Sequence, residues 1–372
     1  MVALAVAAVV GFIVNATLGG HTPKARSEPT PSASESPINA VPPGPIGTAT
    51  PSQSAPATPI TVAVGRPILG ITAPYELVAR GPNSVVRIDF AAGRVIRTPV
   101  PYLRSTGPVW FIVDKTWAMI RPLDHVPGYL VRDGHAAEDL PGQLDDGGVV
   151  LPGPNGSGVW LSPDVQVTHL ALIGMDGKPT GTSITIPASA EGMVVPDGTG
   201  YVVAGYSKGV DLVRPTGSKR ITSGTLIAIG PTRWLAQECS AVSCEMVAID
   251  RATGRRHTVE EVPAGTRGTQ WITGAISPDG KTAALRAGPN DPDTATNLLL
   301  VDLTTGAQRR TNVPDPESGI SADSVAWSPD SKWVFATAAR HGLVAVNVTT
   351  GHVEDFGVLV PAIDQIAVRA KR

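Results

Sequence analysis

Seven times along this chain, an apolar, β-prone run leads into a short polar turn that ends in glycine, and another strand-like run follows. The spacings between these turn glycines are 41, 43, 40, 37, 52 and 45 residues. A unit of this size holds about four short strands, and it buries its apolar residues only against neighbouring units. The repeat therefore predicts a series of small sheets that pack on one another. The seven turns are DFAAG (Gly93), VRDG (Gly134), GMDG (Gly177), RPTG (Gly217), DRATG (Gly254), DLTTG (Gly306) and NVTTG (Gly351).

The clearest unit runs from residue 271 to residue 313. Its segments WITGAISPDG, KTAALRAG, NLLLVDLTTG and AQRRTNVP read as four strands, and the next unit repeats the pattern. Alternating apolar and polar residues mark half-buried strands, whereas the run LLLV marks a strand buried on both faces. Four strands with a period near 40 to 45 residues are typical of a β-propeller blade. We therefore predict an all-β fold, a seven-bladed β-propeller over residues 69–372.

The turn motifs carry a resemblance to a known family. SPDGK at residues 277–281, SPDSKW at 328–333 and VPDGTGYVVA at 195–204 resemble the repeat of TolB-like and WD-repeat-like bacterial β-propellers. VAIDRATG and LLVDLTTG resemble the third strand and turn of the same repeats. The resemblance covers roughly residues 70–372 and implies a fold, not an activity.

The phase of the repeat predicts how the ring closes. The first unit lacks its first strand, and the C-terminus has one strand too many. AIDQIAVRAKR, from Ala362, aligns on SADSVAWSPDS, from Ser321. We expect residues 363–369 to join blade 1 as its innermost strand, because closure removes open sheet edges. ITVAVGR, residues 60–66, is the alternative source of the missing strand.

The N-terminal residues predict an anchor and a spacer. Residues 2–20 carry no charge, and as a helix they would span roughly 27 Å, close to the roughly 30 Å hydrocarbon core. We interpret residues 1–20 as an uncleaved transmembrane signal anchor; a cleaved signal peptide and a buried helix are the alternatives. Residues 21–68, rich in Pro, Ser and Thr, predict a disordered linker. The propeller would then stand outside the cytoplasm on a single-pass membrane anchor, or be secreted after cleavage.

The charge of the chain argues against one class of partner. The net charge is −2, the pI is about 6.4 and only 17% of residues are charged. Nucleic-acid binding requires a basic stripe that neutralises phosphates. We therefore expect no nucleic-acid partner.

The two cysteines, Cys239 and Cys244, lie in WLAQECSAVSCEMVAID, with a strand-like run on each side. The intervening SAVS suits a hairpin turn, so the pair can close the hairpin as a disulfide, which fits an oxidising compartment. Free thiols are one alternative. A metal site is the other, although no second cysteine pair supplies the remaining ligands.

The connections between strands suggest where ligands bind. In a four-stranded meander, the first-to-second and third-to-fourth turns lie on one face, and here those turns are short. The remaining connections are longer and share the opposite face, where recognition residues are usually found. Acidic side chains on two adjoining connections, and arginines on three others, are the candidate contacts. The predicted ligand- or partner-binding residues are Asp291, Asp293, Asp315, Glu317, Arg104, Arg267 and Arg340.

Motifs for catalysis are weak. GYSKG (205–209) matches G-x-S-x-G, but a strand follows it where a nucleophile elbow requires a helix. AIDRATGRRHT resembles the repeat of quinone-dependent propeller dehydrogenases but has Thr258 at the tryptophan position. The seven histidines form no metal-binding pair, and the acidic connections, which offer oxygen ligands for Ca²⁺, do not follow the order of an EF-hand loop. The seven tryptophans predict packing between blades. We therefore predict no metal and no cofactor.

These observations favour a non-catalytic role over an enzymatic one. We predict a membrane-tethered extracytoplasmic propeller that serves as a binding or scaffold domain for a protein or a cell-envelope ligand. One alternative is a propeller hydrolase of the lactonase type, with the acids and arginines gathered at the mouth of the channel. The other alternative is the sensor domain of an envelope signalling pathway.

Overall fold

The computed structural model describes most of the chain after residue 58. The described residues are 59–101, 109–122, 127–145, 148–164, 166–188, 190, 193–206, 209–263, 274–286, 298–313, 324–338, 342–356, 360 and 362–371. They all belong to one compact unit. The predicted anchor over residues 1–20, and the predicted linker up to residue 58, lie outside them.

Short strands make up almost all of the regular structure. The first eight are β1 (Ile60–Ala63), β2 (Tyr75–Gly81), β3 (Ser84–Asp89), β4 (Arg94–Pro99), β5 (Val109–Val113), β6 (Trp117–Pro122), β7 (Tyr129–Arg132) and β8 (Ala137–Asp139). The next eight are β9 (Val149–Pro152), β10 (Gly158–Ser162), β11 (His169–Gly174), β12 (Pro179–Thr185), β13 (Val194–Pro196), β14 (Val202–Tyr206), β15 (Gly209–Arg214) and β16 (Gly217–Thr222).

The second half continues in the same way. Its strands are β17 (Thr225–Ile229), β18 (Arg233–Cys239), β19 (Ser243–Asp250), β20 (Arg256–Pro263), β21 (Gly274–Ile276), β22 (Thr282–Arg286), β23 (Leu298–Asp302), β24 (Gln308–Arg310), β25 (Val325–Trp327), β26 (Trp333–Ala338), β27 (Gly342–Asn347), β28 (Val353–Asp355) and β29 (Gln365–Ala370). Three 3-10 turns complete the described elements: Ile68–Gly70, Gly142–Asp145 and Pro154–Gly156. None of the described helices is long and apolar enough to cross a membrane.

The predicted count of seven blades is wrong. Within the described part of the chain, five sheets of four or five strands are separate blades, and eight further strands, β17 to β24, form one continuous sheet. The two halves of this sheet join because β17 and β21 pair in parallel, at Ala228↔Gly274 and Ile229↔Ala275. Gly230 follows β17, and a Cβ atom there would lie 2.6 Å from the Cβ atom of Ile276. The missing side chain lets β17 approach β21 closely, so two repeats merge into one sheet.

The predicted closure by the C-terminus is confirmed. The first sheet has the order β1-β4-β3-β2-β29, and β29 pairs with β2 from Tyr75↔Ala370 to Arg80↔Gln365. It also contacts β5 and β25, the first strands of its two neighbours. The alternative, that residues 60–66 supply the inner strand, is wrong: β1 pairs with β4 at the outer edge instead. β1 thus belongs to the first sheet although it falls within the predicted linker, 21–68.

The tight turns follow the sequence pattern. All seven turn glycines adopt positive φ, between 59° and 129°, and each joins the third and fourth strands of a repeat. In the SPDG turn, the Ser277 hydroxyl donates to the Asp279 carboxylate at 2.6 Å and accepts from the Thr282 N–H at 2.9 Å. The Ser328 turn repeats both bonds at 2.7 and 2.9 Å. These internal bonds give the repeats matching turns.

The core lies between neighbouring sheets. Five of the six described tryptophans are buried, as predicted: Trp110, Trp117, Trp160, Trp234 and Trp327. Two of them also bond to a neighbouring sheet: Trp160 Nε1 donates to the Gly200 carbonyl at 2.7 Å, and Trp327 Nε1 donates to the Ala275 carbonyl at 2.9 Å. The tryptophans therefore fix the distance between sheets as well as filling the space between them.

Candidate functional site

The strand ends define two faces of the ring. We call the edge that carries the seven turn glycines the turn face. The opposite edge, where second strands lead to third strands and fourth strands lead to the next repeat, is the loop face. On the loop face the structure describes the turn of residues 240–242, between β18 and β19.

All seven predicted contact residues lie outside the described residues, so their placement remains a prediction. They are Asp291, Asp293, Asp315, Glu317, Arg104, Arg267 and Arg340. The described residues do address two of the rejected motifs. GYSKG ends β14 and begins β15, as a hairpin connection and not as a strand-to-helix elbow. Nowhere in the described ranges do three or more His, Cys, Asp or Glu side chains come together as a metal site.

The ladder of β18 and β19 is longer toward the loop face than the corresponding ladder of the following repeat. Its ladder has seven residue pairs, from Arg233↔Asp250 at the turn face to Cys239↔Cys244 at the loop face. The corresponding ladder of β22 and β23 has five pairs and ends at Arg286↔Leu298. Because a strand rises about 3.3 Å per residue, two extra pairs make this ladder about 7 Å longer than the ladder of β22 and β23.

The predicted disulfide is confirmed, and it joins the last pair of this ladder. Cys239 and Cys244 are bonded; Cys244 is buried while Cys239 is exposed. We call the segment from β18 through β19, with this bond, the stapled hairpin. The sequence identified the bond because a hairpin with a cysteine at each end of a short turn places the two side chains opposite each other.

The tip of the stapled hairpin is held by its own hydrogen bonds. The Ser240 hydroxyl accepts from the N–H groups of Val242 and Ser243, at 3.2 and 3.0 Å. The Ser240 N–H in turn donates to the Ser243 carbonyl at 2.7 Å. Val242 is 82% exposed, the largest exposure among the described large apolar residues. The tip is thus a cross-linked turn that presents an apolar side chain to solvent.

The loop-face end of the stapled hairpin is fixed to the preceding repeat. Glu238, beside the disulfide, forms an ion pair with Arg256 and accepts from the Thr222 hydroxyl at the end of β16. Burial alone would raise the pKa of Glu238, but the hydrogen bonds from Arg256 and Thr222 outweigh it and lower this pKa. The ionised Glu238 therefore links β16, β18 and β20.

A buried ion pair holds the turn-face end of the same hairpin. Asp197 is fully buried, and its carboxylate lies 2.6 Å from the Arg251 guanidinium. Arg251 also donates to the Asp197 and Gly230 carbonyls, and its Cζ atom lies 4.5 Å from the centre of the Trp234 ring. Burial lowers the pKa of Arg251, against the opposing effect of Asp197. Sequence reasoning missed this pair, although Asp197 occupies the aspartate position of a PDG turn.

Known proteins with similar structures are distant from this chain in sequence. The chain matches no protein-family model and no curated protein. Similar solved structures include TolB from Acinetobacter baumannii, with 13% identity, coverage of 82% of both chains and a TM-score of 0.39. AztD from Citrobacter koseri has 10% identity, coverage of 80% of this chain and 99% of that one, and a TM-score of 0.42. A putative 6-phosphogluconolactonase from Bacteroides uniformis has 14% identity, coverage of 80% and 100%, and a TM-score of 0.44. The resemblance to TolB-like β-propellers implied a β-propeller, and the described sheets form one.

Proposed function

We propose that this chain is a non-catalytic β-propeller that works outside the cytoplasm and binds a protein or a cell-envelope ligand on its loop face. The observation that carries the proposal is the stapled hairpin. Its ladder is longer toward the loop face than that of the following repeat, its turn is hydrogen-bonded, and Val242 at its tip is exposed. Binding loses free energy when loops must be ordered, so a turn that is already ordered favours tight contact.

The energetic contribution of the tip can be estimated. Fully burying one valine side chain stabilises a contact by about 1.5 to 3 kcal/mol. That range corresponds to a change of roughly ten- to a hundredfold in affinity. Substituting Val242 should therefore have a measurable effect without abolishing a large interface.

The disulfide supports a location outside the cytoplasm, because cellular reductants keep cytosolic thiols reduced. The test is to treat intact cells with a membrane-permeant alkylating reagent before lysis and to measure the mass of the purified chain. We expect Cys239 and Cys244 to remain unmodified until a reductant is added. Alkylation of both residues before reduction would contradict this location.

Site-specific cross-linking in cells tests the binding face. A photoreactive amino acid replaces Ala241 at the exposed tip in the full chain, and the matched control places it at Thr216 on the turn face. We expect a discrete adduct from position 241 and none from position 216. An adduct that forms equally at both positions, or at neither, would contradict the proposal.

A second variant distinguishes contact from proximity. Val242→Asp places a charge where an apolar contact is proposed, and we expect it to reduce the adduct at position 241 at least tenfold. Val242→Ile, which keeps the apolar surface, should retain the adduct.

The competing function is a lactonase-type hydrolase. Turnover of lactones or esters by the purified chain, lost in Asp291→Asn, would favour that function instead.

A further inference from the structure

A groove opens on the turn face between the two halves of the eight-stranded sheet. It lies where the start of β20 is close to the turn between β23 and β24. Its volume is about 380 Å³, within the range of about 300 to 1,000 Å³ of small-molecule sites. Ala248 and Leu303, both buried, form an apolar floor. The other lining residues are polar: Arg233, Asp250, Thr253, Arg255, Arg256, His257 and Thr304.

The arginines of the groove differ in their partners. The Arg256 guanidinium is occupied by Glu238 and by the Ile221 carbonyl. By contrast, the guanidinium groups of Arg233 and Arg255 make no hydrogen bond and no ion pair with any other residue that the structure describes. Two of the three arginines therefore keep their donors available to a ligand.

One carboxylate, that of Asp250, lines the same groove. Asp250 accepts from the Thr253 hydroxyl at 2.7 Å and from the Thr253 N–H at 2.8 Å. These bonds lower the pKa of Asp250, so it stays ionised at neutral pH. Two guanidinium groups against one carboxylate leave the groove positive.

The same junction in the following repeat explains why the groove exists. The segments DRATGRRHT and DLTTGAQRR align through Gly254 and Gly306, so His257 corresponds to Arg309. Arg309 reaches the carbonyls of Val348 and Thr349 in the next turn and occupies the junction. His257 is shorter, and among the described residues its Nε2 bonds to one carbonyl of the next turn, that of Thr304, at 3.2 Å. The shorter side chain leaves the space that the groove occupies.

The alignment also shows that the two available arginines are particular to this junction. Arg255 corresponds to Ala307. Arg233, which pairs with Asp250 across the ladder, corresponds to Thr282, which pairs with Asp302. Neither position carries a charge in the following repeat. The groove and the two guanidinium groups therefore occur together at this junction.

We propose that this groove binds a small ligand through an oxyanion, a phosphate or a carboxylate, held by Arg233 and Arg255. A guanidinium group donates two parallel hydrogen bonds, which matches the oxygen spacing of both anions. Ala248 and Leu303 provide an apolar surface for the body of the ligand, and Thr253 and Thr304 also line the groove. This site is on the turn face, so it is independent of the proposed partner contact at the stapled hairpin.

Calorimetric titration of the purified full chain tests the proposal, with inorganic phosphate and succinate as probes. We expect at least one probe to bind with a dissociation constant of about 1 mM, as for a small anion that makes a few charged hydrogen bonds. Binding of phosphate alone would assign a phosphorylated ligand, and binding of succinate alone would assign a carboxylate. Absence of binding by both probes at about ten times that concentration would overturn the proposal.

Three variants locate the binding site. Arg255→Gln and Arg233→Gln should each weaken binding about tenfold, because each removes one charged donor group. Arg310→Gln is the matched control: Arg310 is an exposed arginine on β24 and does not line the groove. An equal loss in the Arg310→Gln variant would show general attraction to positive charge and would overturn the proposal.

The sharpest test fills the groove while it adds charge. His257→Arg copies the residue of the following repeat, where Arg309 bonds to the next turn, so the chain should fold with unchanged unfolding temperature. We expect probe binding to fall at least tenfold in this variant because its side chain occupies the space. Stronger binding in His257→Arg would mean that charge alone, not the groove, attracts the anion, and would contradict the proposal.

Discussion

At the scale of single residues, the turn glycines are required for two different physical reasons, a positive φ and the close approach of a neighbouring strand. Gly254 and Gly306 occupy the same position in aligned turns, with φ of 74° and 76°. A Cβ atom on Gly254 would meet nothing within 4 Å, whereas on Gly306 it would lie 2.3 Å from the Val259 carbonyl oxygen. The first glycine is needed for its backbone conformation alone; the second is also needed for the close approach of β20.

This difference predicts unequal effects of the same substitution. Gly254→Ala should lower the free energy of unfolding by about 1 to 2 kcal/mol, the cost of a left-handed alanine. Gly306→Ala should lower it by about 3 kcal/mol or more, because a collision with backbone is added. Urea denaturation of the purified variants measures both values.

Gly134→Ala is a further control for conformation alone, since Gly134 has φ of 77° and nothing within 4 Å of its added Cβ atom. It should match Gly254→Ala. If Gly306→Ala were no more destabilising than these two variants, the close approach of Val259 would have no energetic consequence.

At the scale of elements, the sequence predicted the features that depend on residues close together in the chain. The turn glycines, the PDG turns and the disulfide all depend on residues a few positions apart, and the structure contains all three. The eight-stranded sheet was not predictable in this way, because it depends on the distance between β17 and β21. That distance is set by Gly230 against Ile276, which lie 46 positions apart in the sequence. The ion pair of Asp197 and Arg251 also joins different repeats, so no local pattern encodes it.

Aligned repeats of this chain differ at a position that lines the candidate groove. Placing DRATGRRHT over DLTTGAQRR shows a histidine where the following repeat has an arginine. Only the structure shows that Arg309 donates to two carbonyls of the next turn, whereas His257 contacts one, that of Thr304. A difference between repeats therefore becomes interpretable as a groove once the geometry of one repeat is known.

Asp89, at the end of β3, should make the free energy of unfolding depend on pH. Asp89 is buried and accepts from the Ala92 N–H at 3.1 Å, from Arg94 at 3.1 Å and from Lys371, just after β29, at 2.5 Å. Burial alone would raise the pKa of Asp89, but the bonds from Lys371, Ala92 and Arg94 outweigh it and lower this pKa. The folded pKa is then below the unfolded value of about 3.9. The stabilisation is present above about pH 4 and is lost as the pH falls through the folded pKa.

We therefore expect Asp89→Asn to lower the free energy of unfolding by about 2 kcal/mol at neutral pH, since its bonds involve charged groups. The gap between the variant and the parent chain should narrow as the pH falls below about 4. Urea denaturation over this pH range measures the gap. Asp139→Asn, at an exposed position of β8, is the control and should change stability by less than about 0.5 kcal/mol. A gap that stayed constant with pH would contradict the assigned role of the Asp89 carboxylate.

At the scale of the whole ring, closure depends on a single C-terminal strand. Ile366 and Val368 of β29 are buried among residues of the first and last repeats, including Leu77 and Phe335. Burying two such side chains contributes about 3 to 6 kcal/mol. That is a large part of the roughly 5 to 15 kcal/mol by which typical folded domains are stable. Without β29, strand β2 would also become an unpaired inner edge.

Arg369 adds buried hydrogen bonds and ion pairs to the same strand. Its side chain is 1% exposed, and its Nε donates to Glu76 on β2 at 2.9 Å. Its two other nitrogens donate to the Asp114 carbonyl at 2.9 Å and to the Asp133 carboxylate at 2.6 Å, both in the second repeat. One guanidinium group therefore connects the closing strand, the strand beside it and the neighbouring blade. Removing it would leave the buried Glu76 carboxylate without this partner, which is costly in a low-dielectric interior.

Truncation and replacement in trans test this closure. A chain that ends at residue 363 should lose its cooperative unfolding transition and aggregate, because β2 and the apolar side chains beneath β29 become accessible. Adding a synthetic peptide of residues 364–372 should restore a cooperative transition, since the peptide can pair with β2 along the same register. The peptide carrying Arg369→Met keeps the length and most of the apolar surface but lacks the guanidinium group, so it should bind at least tenfold more weakly. If the truncated chain stayed monomeric with an unchanged unfolding midpoint, β29 would be an accessory strand, and the stability of the ring would have to come from contacts between the sheets alone.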